Sequence, residues 1–304
     1  VREIFATVAD WLESGVSLAL GTLVETFDSS PAPVGTTVAV DAQGRIAGNV
    51  GAGCHESEIV DACRQTIDDA AFRLLRINLD DDDEITGGAG CGGALKIAVW
   101  KPGTDFASEA RTIARGARTH ELRINSFTVM YPAKRRLVLV GATTLAQEVA
   151  RLAKMLDFFV TVIDPRPVFA TRERLPDVDV LVLEWPDDVL DHLLERASAI
   201  VVLSHDPKFD VPALESALRS NVPYVGLLGS RRSQAARRDA LRERGVDEAL
   251  FARIRGPVGL DLGGETTVET ALSILAQIVA ESHSRKGGSL DRSDAAIHAG
   301  CVKQ

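Results

Sequence analysis

The chain has 304 residues, room for about two domains, and its 45% hydrophobic and 25% charged residues are the balance of a globular protein with a buried core. A formal net charge of -9 argues against nucleic-acid binding, which depends on basic patches that displace counterions from phosphates. No run stays apolar for the roughly 18 residues that a membrane span needs, so a membrane role is not expected either.

In chain order, "VREIFATVADWLESG" places Ile4, Val8, Trp11 and Leu12 on one helical face and lacks the basic, apolar and small-residue order of a signal peptide, so a cytoplasmic location is expected. "VSLALGTLVETF" reads as a strand, the Pro/Ser/Gly stretch from Asp28 to Gly35 as a loop, and "TTVAVDAQGRIAGNV" as two short strands about a turn at Ala42 to Gly44. Then comes "GNVGAGCHESEIV", Gly48 to Val60, glycine-rich at first and helical in its spacing afterwards. Ile59, Cys63 and Ile67 recur at i, i+4 and i+8, which puts Cys63 on the inner face of a helix. Cys54, Cys63, Cys91 and Cys301 follow no tight spacing rule, so neither a disulfide framework nor a zinc ribbon is expected. The acidic run from Asp80 to Glu84 reads as a solvated loop. The strand "ALKIAVW" closes a small α+β domain at 1–102, and an Ala-rich helix from Phe106 to Ala117 with a polar stretch makes 103–134 a helix and linker.

Residues 135–284 alternate short β-branched runs with helical patterns. "RLVLVG", "FVTVID", "VDVLVLE", "AIVVLS" and "PYVGLLG" are the strands of a Rossmann-like, doubly wound parallel sheet, so the fold class is α/β with a smaller N-terminal α+β domain; 285–304 is a polar tail. Leu145, Val149, Leu152 and Leu156 line the first helix of this half. The dinucleotide fingerprint G-x-G-x-x-G/A reads here Gly141-x-Thr143-x-x-Ala146. The missing second glycine is the one that lets backbone approach a pyrophosphate, so NAD(P) binding is disfavoured even though Asp164 ends the second strand where a ribose-binding acid would stand.

The loops at the carboxyl ends of these strands are the expected ligand side. They present Asp164 and Arg166 in "DPRP", Ser204, His205 and Asp206 in "SHDP", and Ser230, Arg231 and Arg232 in "GSRR". A serine cap, free helix N–H groups and two arginines suit a phosphate, and they equally suit a capped helix with solvated arginines. His205 is either an acid–base group or a member of a hydrogen-bond network. In "GPVGLDLGGETTVETALSILAQIVAE", Thr266 and Glu269 form a capping box opening a helix with Leu272, Leu275 and Val279 inward.

Taken together, "GNVGAGCHE", "GAGCGG", "LVLVGATTLA" with "VTVIDPRP", "SHD", "VGLLGSRRS" and the long "GPVGLDLGGETTVETALSILAQIVA" resemble the XdhC/CoxI family of accessory proteins for molybdenum hydroxylases, over both halves of the chain. The chain departs from the family pattern at Thr143 and Thr144, where the family shows glycine and histidine. It departs again at Ala52-Gly53-Cys54-His55-Glu56, where a pattern like "SGGCVE" is usual. The resemblance implies a molybdenum cofactor chaperone rather than an enzyme. Such a protein helps the cofactor acquire its sulfido ligand with a cysteine desulfurase and delivers it to a xanthine dehydrogenase-like apoenzyme. A homodimer is the expected assembly.

That resemblance gives the glycine-cysteine stretch a chemistry. Cys54 begins a helix, where the dipole and unpaired N–H groups stabilise a thiolate, a soft ligand suited to molybdenum; Gly51 and Gly53 would let the cofactor ring approach the backbone. Cys91, between Gly90 and Gly92, is either a second contact or part of a tight turn. The expected cofactor-binding set is therefore Cys54, Gly51, Gly53, Cys91, Asp164, Arg166, His205, Ser230, Arg231 and Arg232, with Cys54 as the metal ligand and no catalytic residue. Two alternatives stand beside the chaperone: an NAD(P)-dependent oxidoreductase, and an auxiliary subunit of a xanthine or carbon monoxide dehydrogenase complex. The chain is not itself such a hydroxylase, because two 2Fe–2S clusters take about eight cysteine ligands and it has 4.

Overall fold

The computed structural model describes residues 2–27, 30, 32–51, 55–78 and 93–292. The chain forms two compact units, one ending at Ala133 and the other beginning at Lys134.

Among the described residues the first unit holds a five-stranded antiparallel sheet in the order β3-β2-β1-β5-β4, made of β1 (Leu18–Phe27), β2 (Thr37–Asp41), β3 (Ile46–Gly48), β4 (Arg73–Asn78) and β5 (Ala94–Trp100). Both faces are covered. Leu18 and Leu20 of β1 point to the side of α1 (Ile4–Glu13) and α3 (Phe106–Arg115), whereas Ala19 and Leu23 point to α2 (Glu56–Asp69). This is why β1 reads as an almost unbroken apolar run: alternation is lost where helices lie on both sides. The turn between β2 and β3 is held by the fully buried Asp41, whose carboxylate accepts from the N–H groups of Gln43 and Arg45 at 3.0 and 2.7 Å and from Arg45 Nε at 2.5 Å.

The stretch 103–134, expected as a helix and linker, carries α3 and then a hairpin of β6 (His120–Ile124) and β7 (Phe127–Tyr131). Leu122, Ile124, Val129 and Tyr131 from the hairpin join the core beneath α1 and α3. Their charged alternates, such as Glu121 and Arg123, face water, which is why the segment looks polar in sequence.

The second unit is a six-stranded parallel sheet in the order β10-β9-β8-β11-β12-β13. Its strands are β8 (Arg136–Val140), β9 (Phe159–Ile163), β10 (Val180–Val182), β11 (Ala199–Val202), β12 (Tyr224–Leu227) and β13 (Ile254–Arg255). This is the doubly wound order, with its switch between β8 and β11. On one face lie α4 (Thr144–Met155) and α8 (Thr267–Ser282), and on the other α5 (Pro186–Leu194), α6 (Pro207–Arg219) and α7 (Arg231–Glu243).

Two details differ from the sequence reading. The inward stripe of α4 is Ala146, Val149, Ala150 and Ala153; Leu156 lies past the helix end and is exposed. In α8 the capping box of Thr266 and Glu269 is present, but the inward stripe is Ala271, Ile274, Leu275 and Ile278, leaving Leu272 52% exposed. Small residues on α4 let the two adjacent helices lie close to the sheet, so the larger leucines fall to the flanks.

Beneath the carboxyl edge, α6 and α7 are joined by an ion pair. Asp210 and Arg237 are both buried; Arg237 Nε donates to Asp210 Oδ2 at 2.7 Å, Nη2 donates to the same oxygen, and Nη1 reaches Ser233 O at 3.2 Å. Burial pushes the Asp210 carboxyl above its usual range, a rise that the Arg237 hydrogen bond only partly offsets. Replacing Arg237 with alanine should therefore cost about 3 kcal/mol or more in urea unfolding, because it strands a buried carboxylate, and the Asp210→Ala/Arg237→Ala double variant should recover part of the loss. In the first unit, Cys63 is fully buried in α2 and its thiol is pushed up to about 12 by burial. We expect Cys63 to stay unalkylated by iodoacetamide at pH 8 in peptide mapping of the folded protein. Cys63→Ser should cost about 1 kcal/mol or more through a buried hydroxyl.

Candidate functional site

Two regions collect the residues singled out above, each within its own unit. In the first unit a cleft of about 260 Å³ opens between the β2–β3 hairpin and the first turns of α2. Val38, Ile46, Val50, Ile59 and Val60 make its apolar wall, and Asn49, Ser57 and Arg64 bring polar groups. The cleft is lined by chain on both sides of Ala52, Gly53 and Cys54, which lie outside the described residues, as does Cys91. Gly51 is described: it adopts φ +72° and donates its N–H to the Asn49 side chain, a conformation that favours glycine. His55 opens α2 without a capping hydrogen bond, its Nδ1 3.8 Å from Glu58 Oε2, and Glu56 and Glu58 occupy the first turn, where the helix dipole favours carboxylates.

In the second unit the remaining candidates stand along the carboxyl ends of β8, β9, β11 and β12. Gly141 follows β8 at φ +105°; a Cβ there would come within 3.0 Å of Ser204 N, so the two switch-point loops touch. Thr143, in the place of the second fingerprint glycine, caps α4: its Oγ1 accepts from Ala146 N at 3.1 Å. The side chain thus fills the turn that a dinucleotide pyrophosphate would need and satisfies one of the N–H groups that would hold it.

Asp164 is buried at the end of β9 with its carboxylate turned inward. Oδ2 accepts from Ala142 N at 2.8 Å and from Arg166 Nη2 at 2.7 Å, and Oδ1 accepts from Arg166 N at 3.0 Å and Nε at 2.9 Å. Burial alone would raise its pKa, but the Arg166 side chain and the two backbone N–H groups outweigh it and hold the carboxyl below its usual range. Asp164 and Arg166 are thus brought together as an ion pair.

His205 is exposed and enters no hydrogen bond among the described residues, whereas its neighbours build the loop. Ser204 Oγ accepts from Asp206 N at 3.0 Å, and Asp206 caps α6 by accepting from Lys208 N at 3.0 Å. Ser230 caps α7, its Oγ accepting from Ser233 N at 3.3 Å. The side chains of Arg231 and Arg232 are exposed and, among the described residues, take part in no hydrogen bond or ion pair. Sequence reasoning passed over Asp210 and Arg237, which tie the loops carrying Ser204 and Ser230. The signal was there: Gln234, Arg237 and Leu241 recur at helical spacing, and an arginine on that inward stripe requires a buried acid. Among the described residues no group of three or more His, Cys, Asp or Glu is arranged to hold a metal ion, and no helix is long and apolar enough to cross a membrane.

Against known proteins, residues 11–78 match the family described as "XdhC and CoxI family" and residues 137–278 match the "XdhC Rossmann domain". The uncharacterized protein YqeB of Escherichia coli K12 is 26% identical over 94% of this chain, which spans only 47% of YqeB. The molybdenum cofactor insertion chaperone PaoD of the same organism is 25% identical, over 91% of this chain and 87% of PaoD. A probable xanthine dehydrogenase subunit of Bacillus subtilis 168 is 24% identical, over 90% of this chain and 96% of that protein. A crystal structure of a xanthine dehydrogenase from Bacillus halodurans superposes with a TM-score of 0.75 at 19% identity, covering 94% of this chain and 98% of that one, and shares the fold. With a family match in each unit, and in the order found along the chain, this protein belongs to the XdhC and CoxI family.

Proposed function

We propose that the chain binds the molybdenum cofactor, assists its sulfuration beside a cysteine desulfurase, and hands it to a xanthine dehydrogenase-like apoenzyme. The observation that carries this reading is the family match in both units, with similarity to an insertion chaperone over nine-tenths of the chain. The geometry supports it from the side of what the Rossmann unit lacks. A nicotinamide-dependent oxidoreductase would use the turn after β8 for pyrophosphate and an acid after β9 for ribose. Here Thr143 fills the turn, and Asp164 is spent on Ala142 and Arg166.

The residues present fit the phosphate end of the cofactor. The capped start of α7 carries free N–H groups beside two exposed arginines without partners among the described residues, and guanidinium forks match phosphate geometry. When bound, the cofactor supplies the molybdenum centre that the client enzyme uses. Within the second unit, taken by itself, Arg231, Arg232 and the N–H groups of the α7 turn would hold a phosphate group. The cleft beside Gly51 and the start of α2 gives an apolar wall with a few polar groups, the usual make-up of a small-molecule site. Cys54, just ahead of α2 in the chain, provides the soft sulfur ligand, and Cys91 is a second contact candidate.

The test is expression with a full supply of molybdenum cofactor, followed by metal and pterin analysis of the purified protein. The unmodified chain should carry both. Cys54→Ser should fold normally, bring molybdenum to background and fail to activate a molybdenum hydroxylase apoenzyme; full loading of this variant would remove the thiol from the site. Arg231→Ala with Arg232→Ala should lower retained cofactor while shifting the melting temperature by less than about 2 °C, because exposed unpaired charges add little stability. Unchanged retention would return the two arginines to a solvated helix start.

A further inference from the structure

The two edges of the second unit's sheet are finished differently. At one edge β13 is only Ile254–Arg255, and its arginine is held by the Glu281 carboxylate at 2.6 Å and by Ala252 O at 3.0 Å. Shortness and a charged side chain are common means of keeping an edge from pairing with another strand. At the other edge β10 is Val180, Leu181 and Val182, with neither a charge nor a proline among them. Among the described residues its backbone bonds only to β9 and to Asp164, which follows β9, so its outer side is unpaired. Leu181 packs toward the α4 side of the sheet and Val182 toward the α5 side, while Val180 is 36% exposed and Leu183, just past the strand, 52%. An open, uncharged, apolar edge is a template for a further strand.

Charge selects that strand. Arg172 reaches the amino end of β10, where its guanidinium donates to the carbonyls of Val178 and of Asp179, the latter at 3.0 Å, and meets no carboxylate among the described residues. Glu184 lies at the other end, exposed and without a hydrogen bond or ion pair among the described residues. A strand antiparallel to β10, with a cation opposite Glu184 and an anion opposite Arg172, satisfies both ends. β10 itself, turned about a two-fold axis, is such a strand. With the axis at Leu181, Val180 stands opposite Val182 of the second copy on one face of the joined sheet, and each Glu184 falls at the Val178 carbonyl that holds Arg172 of the other copy. A one-residue shift puts paired side chains on opposite faces, and two-residue shifts set Val180 against Glu184 or Leu181 against Asp179. We propose that β10 pairs with β10 of a second copy of this chain, joining the two parallel sheets into one. The proposal goes beyond the cofactor reading and does not depend on it.

Sedimentation velocity of the full chain tests this. At about 100 µM the unmodified protein should sediment with twice the 32.6 kDa mass of one chain. Val180→Lys, which gives β10 the edge charge it lacks, should weaken dimerisation at least about tenfold and leave the far-UV circular dichroism unchanged. Glu184→Arg and Arg172→Glu should each weaken it to a similar extent, because each sets like charges at both ends of the two-fold pairing. Mixing these two variants should restore the dimer as a heterodimer, in which both ends again meet opposite charges. A surface that is merely adhesive gives no such rescue. A single-chain mass for the unmodified protein at about 100 µM overturns the proposal and leaves the edge to a strand of another protein. So does a dimer that folded Val180→Lys leaves unchanged, or one that the mixed charge variants fail to restore.

Discussion

The carboxylate of Asp164 ends β9 with both oxygens occupied, and the arrangement of the second unit's ligand edge follows from that. Through Ala142 it fixes the turn after β8; through Arg166 it fixes the loop after β9 and the plane against which Phe169 and Phe209 rest. A buried carboxylate must be satisfied, and here the donors come from the protein itself rather than from a ligand hydroxyl. The acid that stands where a dinucleotide fold keeps its ribose contact has become a structural tie.

Thr143 completes that conversion. By capping α4 with its own hydroxyl it removes a free N–H from the helix start and adds a side chain to the turn. Farther along the edge, at the start of α7, the side chains of Arg231 and Arg232 are exposed without partners among the described residues. The two sets of guanidinium groups differ in kind. Arg166 is neutralised by Asp164 and Arg237 by Asp210, so each acts on shape and rigidity, whereas the α7 pair keeps its charge for whatever approaches. The Asp210–Arg237 pair also joins α6 to α7.

Much of the fold was legible along the chain because its signals are local. Short β-branched strands separated by helical spacing can only be a parallel sheet with helices on both faces, and the capping box at Thr266 and Glu269 is written in four consecutive residues. The hairpin of β6 and β7 was hidden because β6 sets Glu121 and Arg123 between its apolar residues, and β4 because Arg73 and Arg76 flank its two leucines. In the candidate site, the loops carrying Asp164, Arg166, His205 and Ser230 could be placed from strand ends alone. Their contacts could not, since Asp164 to Ala142 and Phe209 to Trp185 join residues far apart in sequence.

By itself, then, the sequence determined the two-part architecture, the switch-point loops and the loss of the second fingerprint glycine, all properties of neighbouring residues and their periodicity. Only the tertiary structure decided that Asp164 turns inward, that Arg237 finds a buried acid, that Leu272 faces water, and that Phe169 and Phe209 lie against the Arg166 guanidinium. The reason is physical: a side chain's hydrogen-bond partner and its exposure depend on which other segments fold against it, and those segments are brought together by burial of the sheet's two faces rather than by any local preference.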